Sequence, residues 1–302
     1  MLRLILAGHS RLHIPPETWF IRSLVCELPL TSVLTPAQID RAVTIITEHD
    51  RWSDMEIAAG DLRRWVADDL QSPMLVDIIN LVYREHLART GKSRFGDKTP
   101  NYCEIVPELT VLYPGAKFIQ IIRDGRDVAI SYIDLDWERY YECDRFQWTR
   151  AMAKRREYLI SPYARQILEV RYEDLVSDLE GTVRRICAFL DEQFEPAMLN
   201  WRKLTTLVPA RKRHIHRKLN RPMLSDNIAL WRQRLSPLEC FAIEACLHRD
   251  LEQLGYRLRF GSIALRPLLS VSGWLLCAAA PMLRRGIPYL QRRKILPRTL
   301  YI

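Results

Sequence analysis

Between residues 118 and 132 the chain reads FIQIIRDGRDVAISY, an apolar run that turns abruptly into charge. Four of the five residues from Arg123 to Asp127 are charged, Gly125 sits among them, and Ser131 lies eight residues after Arg123. Arginine at the end of a buried strand, where a helix begins, makes a place for an anion. The guanidinium offers a planar fork to oxyanions, and the helix N-terminus adds unpaired N–H groups and a dipole. Eight residues are about two helical turns, so Ser131 stands two turns further along the same helix. The competing reading is structural: Arg123 with Asp127, or Arg126 with Asp124, forms solvated ion pairs at the strand end. A second charged run, RYED at 171–174, follows the β-rich stretch QILEVRY in the same way.

The elements that must position these residues alternate between strand and helix. KFIQIIR (117–123) and QILEVRY (166–172) are short β-rich runs bounded by turn or helix signals. TPAQIDRAVTIITEH (35–49) and SPMLVDIINLVYREHLART (72–90) carry helical periodicity, with Thr35 and Ser72 as N-caps and proline one position on. SDLEGTVRRICAFL (177–190) predicts an amphipathic helix capped by Ser177 or Asp178, and MLRLILAG reads as the end of an apolar helix closing near Gly8. Strands alternating with helices imply an α/β fold, a parallel sheet with helices on both faces, in which ligands sit at the carboxyl ends of strands. Both charged runs fall at such ends.

Composition narrows the field. Seven cysteines are scattered without a CxxC pair, which fits reduced thiols in a reducing, cytoplasmic compartment better than a disulfide framework. The histidines show no zinc spacing, and no metal is expected. The net charge of +9 is uneven: residues 261–302 hold seven basic side chains and no acid, leaving the first 260 residues at only +2. That distribution argues against a nucleic-acid-binding face on the body of the protein. We therefore divide the chain into a domain over 1–260 and a basic, apolar tail over 261–302. Within the tail, residues 268–283 form an apolar run of sixteen, interrupted by Pro281. It is shorter than the ~20 residues a spanning helix needs, so an interfacial segment with basic anchors, making peripheral membrane contact, is expected. A terminal helix packed on the domain is the alternative. No GxxxxGK[ST] loop occurs, which sets aside a nucleoside-phosphate kinase.

Four stretches taken in order, FGDKTPNY, LYPGAKFIQIIRDGRDVAISY, VRYEDLVSDLEGTVRRICAFL and RPMLSDNIALWRQRLS, resemble sulfotransferases that use 3′-phosphoadenosine 5′-phosphosulfate (PAPS). The likeness is nearest to the tyrosylprotein sulfotransferases and related bacterial enzymes and covers roughly residues 1–260. It implies the P-loop-NTPase-like sulfotransferase fold, with PAPS as co-substrate and a hydroxyl-bearing acceptor: protein tyrosine, carbohydrate, lipid or small alcohol. Arg123 and Ser131 match the residues that hold the nucleotide's 3′-phosphate, Tyr172 matches a tyrosine at the adenosine, and Arg221 matches a basic residue of a late loop over the nucleotide. Glu17 in HIPPETWF matches the glutamate base of the tyrosylprotein enzymes, and Lys98 in GDKTP matches a lysine that neutralises charge on the transferring group. Their structural alternatives are a helix-capping acid for Glu17, a surface partner of Asp97 for Lys98, a packed aromatic for Tyr172 and a solvated charge for Arg221.

Departures from the family pattern are informative. The cytosolic small-molecule enzymes take their base from a histidine in a KTH block, whereas here Thr99 is followed by Pro100. Leu135 stands where some tyrosylprotein enzymes have arginine. The family's 5′-phosphosulfate loop, a strand followed by PRSGTT and a helix, has no counterpart ahead of LRLILAG. The expectation is therefore an N-terminally incomplete sulfotransferase domain lacking the first strand and loop, and a poor catalyst as written. A catalytically inactive nucleotide- or partner-binding member of the same fold is the alternative reading.

Overall fold

The computed structural model describes residues 1–133, 141–209 and 227–261; of residues 132–133 and 141–147 only the helical backbone is described. The chain divides into two compact units, Met1–Ile121 with Lys154–Leu224, and Ile122–Ala153 with Ser225 onwards.

The first unit begins with α1 (Leu2–Ala7), which buries Leu4, Ile5, Leu6 and Ala7 and stops at Gly8. Glycine is required there by close approach, because a Cβ would stand 3.0 Å from the Cα of Met198. β1 (Leu12–His13) follows, then α2 (Phe20–Glu27) and α3 (Pro36–Thr47). α3 starts as its sequence predicts: the Thr35 side chain accepts from the backbone N–H of Gln38, whose own side chain reaches back to the N–H of Thr35. α4 (Ala59–Asp69) and α5 (Leu75–Thr90) lead to β2 (Arg94–Phe95). β2 pairs in parallel with β1, Leu12 opposite Arg94 and His13 opposite Phe95, so the helices between them form the crossover that parallel strands need.

The expected N-cap Ser72 is corrected by the structure. Ser72 lies in the preceding loop at φ 53°, and the helix is capped at Met74, whose N–H donates to the Asp77 carboxylate at 2.8 Å.

α6 (Val106–Leu112) precedes β3 (Phe118–Ile122), and α7 (Gly125–Ile133) and α8 (Tyr141–Leu159) follow it. β4 (Ile167–Arg171) pairs with β3 in a second two-stranded sheet. Both strands fall where the β-rich runs predicted. Next come α9 (Tyr172–Ser177) and α10 (Leu179–Leu190). The cap of α10 is Asp178, whose side chain accepts from the N–H of Gly181; Ser177 belongs to α9. Two clusters fill this unit, one around Phe20, Ile46, Ile78 and Tyr83, the other around Ile5, Val170, Val183 and Trp201.

The second unit is built from α7, the early part of α8, α11 (Trp231–Arg234) and α12 (Pro237–Gln253). α12 is opened by a reciprocal cap between Ser236 and Glu239. Its core joins Ile122, Ile130, Trp148, Trp231, Ile243, Leu247 and Leu251. Gly125 is the residue around which this core closes: a Cβ there would meet Leu247 at 2.7 Å and Trp148 at 3.0 Å. Among the described residues no helix is long and apolar enough to cross a membrane. The tail from residue 262, with its expected interfacial segment, lies outside the described residues.

Candidate functional site

The charged cluster that follows β3 separates into two kinds of residue. Asp124, Arg126 and Asp127 are all buried. Arg126 grips Asp124 with two parallel bonds, Nε to Oδ1 at 2.9 Å and Nη2 to Oδ2 at 2.7 Å. Its Nη1 donates to Glu244 Oε1 at 2.6 Å and to the carbonyl of Arg257 at 2.9 Å, and the guanidinium stacks 3.8 Å from the ring centroid of Trp231. Glu244 in turn accepts the backbone N–H groups of Arg259 and Phe260. Asp127 accepts from the N–H groups of Ala229 and Trp231 at 2.8 and 2.9 Å. Burial pushes the Asp127 carboxyl upward, against the pull of those two N–H groups and of the Arg123 charge. The expectation of solvated pairs is thus corrected for Arg126 and Asp124: they are a buried clamp that ties the start of α7 to α12 and to the segment after it.

Arg123 is different. It is only half-buried, its Nη2 donates to the carbonyl of Asn227 at 2.7 Å, and its own carbonyl accepts from the indole of Trp148 at 3.2 Å. The side chain is therefore oriented in part by backbone. Ser131 lies two turns on in α7 and is likewise half-buried. Both acids of the cluster are engaged by donors of their own, Asp124 by Arg126 and Asp127 by the N–H groups of Ala229 and Trp231. Residue types and placement fit an oxyanion such as a phosphate.

In the first unit the residues suggested for proton transfer come together. Lys98 Nζ donates to Glu17 Oε1 at 2.5 Å, and the Trp19 indole donates to Glu17 Oε2 at 3.0 Å. Glu17 is 17% exposed and Lys98 46%, so the pair is reachable from solvent without being fully hydrated. α2 has Trp19 at its N-cap position, with no side-chain cap bond, and Lys98 forms its ion pair with Glu17. The approach to Glu17 is fixed by Arg3, whose Nε donates to the carbonyls of Ile14 and Pro15 at 3.0 and 2.9 Å. Trp19 has φ 47°, a strained value for a bulky residue, right beside the carboxylate it holds.

Asp97, unassigned in the sequence reading, is the hub beneath this pair. Its Oδ2 accepts from Thr18 Oγ1 and Tyr83 Oη, both at 2.6 Å, and its Oδ1 from Thr99 Oγ1 at 2.9 Å. Thr18, which is fully buried, also meets Tyr102 Oη at 2.5 Å. Since the Thr18 hydroxyl is spent on Asp97, Tyr102 donates to Thr18. Burial pushes the hydroxyls of Tyr83 and Tyr102 up, so both remain protonated donors. The signal was present in GDKTP, an acid between glycine and lysine. Its partners, however, come from as far as 79 residues away, beyond any local pattern.

Tyr172 opens α9 immediately after β4, half-buried at the strand's carboxyl end as predicted. Arg221 and Leu135 lie outside the described residues. Among the described residues no group of His, Cys, Asp and Glu is arranged to hold a metal ion.

Comparison with known proteins agrees with this architecture. Residues 1–196 match the sulfotransferase family. The chain belongs to that family. It is 28% identical over 155 residues to a putative protein-tyrosine sulfotransferase of Caenorhabditis briggsae, an alignment covering 48% of this chain and 55% of that protein. Over 123 residues it is 30% identical to protein-tyrosine sulfotransferase A of Caenorhabditis elegans, covering 36% of this chain and 32% of the relative. The chain thus spans only part of the length of these relatives. Among solved structures, the sulfotransferase domain of the curacin biosynthetic pathway superposes with TM-score 0.61 at 19% identity, covering 85% of this chain and 93% of that one. The sulfotransferase domain of the Synechococcus PCC 7002 olefin synthase gives 0.59 at 23%, covering 85% and 90%. These likenesses define the fold as that of sulfotransferase domains.

Proposed function

We propose that the protein transfers a sulfuryl group from PAPS to a hydroxyl acceptor, with Glu17 as general base. The observation that carries this reading is the Glu17–Lys98 contact at 2.5 Å, a carboxylate and an ammonium brought together from positions 81 residues apart. In the proposed step the acceptor hydroxyl passes its proton to Glu17 while its oxygen bonds to sulfur. The sulfur–oxygen bond to the donor's phosphate breaks in line, giving a sulfate ester and 3′-phosphoadenosine 5′-phosphate. Lys98 has a positive charge to offer the oxygen on which negative charge accumulates. The Trp19 indole holds one Glu17 oxygen and Lys98 the other, so the carboxylate is oriented by two donors.

In the same reading Arg123 and Ser131 hold the 3′-phosphate and Tyr172 lies against the adenosine, with Arg221 assigned to the nucleotide as well. PAPS supplies an activated sulfuryl group with a phosphate leaving group, and no step requires a metal. The relatives named as protein-tyrosine sulfotransferases make a tyrosine hydroxyl the first acceptor to try. The test is incubation of the purified protein with ³⁵S-labelled PAPS and a panel of tyrosine peptides, oligosaccharides, lipids and small alcohols. Transfer of label to one class, dependent on protein, is expected. A panel that stays unlabelled while the protein binds 3′-phosphoadenosine 5′-phosphate would favour an inactive nucleotide-binding member instead.

A further inference from the structure

We propose that Asp97 is the positioning residue of this site: its hydrogen bonds set Glu17 and Lys98 in register, and its charge counters that of Lys98 beside the base. The inference rests on the reading of Glu17 as base, but its geometry stands apart from it. Asp97 is the covalent neighbour of Lys98, and the residue that donates to it, Thr18, is the covalent neighbour of Glu17. One carboxylate therefore joins the two segments that bear the reacting pair. A third bond, from Thr99, pins the other side of Lys98. Tyr83 anchors the hub to α5, and Tyr102 braces Thr18 while its oxygen accepts the N–H of Ile21 at the start of α2. Each contact is to a hydroxyl, which can donate to a carboxylate without competing for its charge. Among the described residues the side-chain donors to the hub are hydroxyls, so its charge is not paired off by an ammonium or guanidinium in direct contact.

That retained charge has a consequence for Glu17. Burial holds the Asp97 carboxyl above its usual range, its three hydroxyl donors oppose the rise, and the Glu17 charge adds to it. Coulomb coupling is reciprocal, so Asp97 makes the Glu17 carboxylate harder to form and a better proton acceptor once formed. Lys98 acts in the opposite sense through direct contact, as does Arg3, whose guanidinium feels both Glu17 and Asp97 together with Asp54. Against these cations Asp97 supplies negative charge beside Glu17. Base strength matters because proton transfer is efficient when the acceptor's pKa approaches the working pH.

Position and charge can be separated with two variants. Asp97→Asn preserves the contacts: the amide oxygen can accept from Thr18 and Tyr83, and the NH₂ can donate to Thr99. It removes only the charge. Asp97→Ala removes both. The readouts are hydrogen exchange of the backbone at 17–21, the ¹³C titration of the Glu17 carboxyl, and turnover with PAPS and a tyrosine peptide. Asp97→Ala is expected to speed exchange at 17–21 and lower turnover ~10²-fold, the scale of an ångström-sized misplacement. Asp97→Asn is expected to leave exchange unchanged, to recover most of the turnover, and to move the Glu17 midpoint and the acid limb of kcat/KM to lower pH. Should Asp97→Ala fail to fold, Thr18→Val breaks the same bridge from the other side; it should speed exchange without shifting the Glu17 midpoint. Wild-type exchange at 17–21 in both Asp97→Ala and Thr18→Val, or an unmoved Glu17 midpoint in Asp97→Asn, would overturn the proposal. The exchange and titration readouts do not depend on activity, so they decide it even if Glu17→Gln shows that another residue takes the proton.

Discussion

The turn after β3 and the segment around Glu17 are both rich in opposed charges, yet the two regions use them in opposite ways. In the second unit Arg126 is enclosed by Asp124, Glu244, a carbonyl and an indole, and scarcely any of it meets solvent. In the first unit Lys98 and Glu17 share one bond at the edge of solvent, beneath which the hydroxyl donors have gathered on Asp97. A fully desolvated ion that has all its partners is committed: moving a proton or a ligand in or out would strand a buried charge. A half-exposed pair keeps its partners exchangeable at little cost. Burial, rather than residue type, divides the charges that hold this protein together from those available to react.

The largest effect should come from stranding the committed charges. Glu244→Ala removes one carboxylate from Arg126 and the acceptor of two backbone N–H groups, so a loss of ~3–5 kcal/mol in unfolding free energy is expected in denaturant titration. An intact midpoint would mean that the clamp carries no stability. Next in size is Arg123→Ala, which should weaken calorimetric binding of 3′-phosphoadenosine 5′-phosphate by ~1.5–3 kcal/mol, the range for charged hydrogen bonds, with the melting temperature little changed. Unaltered affinity would move the 3′-phosphate elsewhere.

A smaller effect is expected from a stacked histidine pair in the first unit. His13 and His86 lie with ring centroids 5.4 Å apart, and the Nε2 of each is buried without a hydrogen-bond partner. Burial first, then neighbouring cations, lowers both to about 4, with Lys92 and Arg3 acting on His13 and Arg89 and Arg3 on His86. The unfolded chain takes up these protons near the ordinary ~6.5 and the folded chain only near 4, so stability falls as pH drops between those values. With partial exposure discounted, thermal melts should show ~1–2 kcal/mol less stability at pH 5 than at pH 7.5. His86→Phe should flatten that dependence. The smallest effect belongs to exposed pairs such as Lys154–Glu157, where neutralising either partner should leave the thermal midpoint at its wild-type value.

What could be read from the sequence was what is decided locally. β3, β4 and the cap at Thr35 follow from apolar runs and from a Thr–Pro–x–Gln spacing that acts within one turn. The start of α5 was misread because Asp77, from inside the helix, performs the capping assigned to Ser72. β1 and β2, two residues each, are too short to show any periodicity. At the site, the residue types of Glu17, Lys98, Arg123 and Ser131 were legible through their motifs. The enclosure of Arg126 was not, because Glu244 lies 118 residues away. Nor was the hub at Asp97, whose donors are spread over three segments.

The central claim, that the exposed pair does the chemistry while Arg123 serves the nucleotide, is tested most directly by Glu17→Gln, which keeps the shape of the side chain and removes its basicity. Turnover with ³⁵S-labelled PAPS and affinity for 3′-phosphoadenosine 5′-phosphate are measured on the same preparation. The account predicts turnover reduced ~10²-fold or more with affinity at the wild-type value. Near-normal turnover in the variant would contradict it.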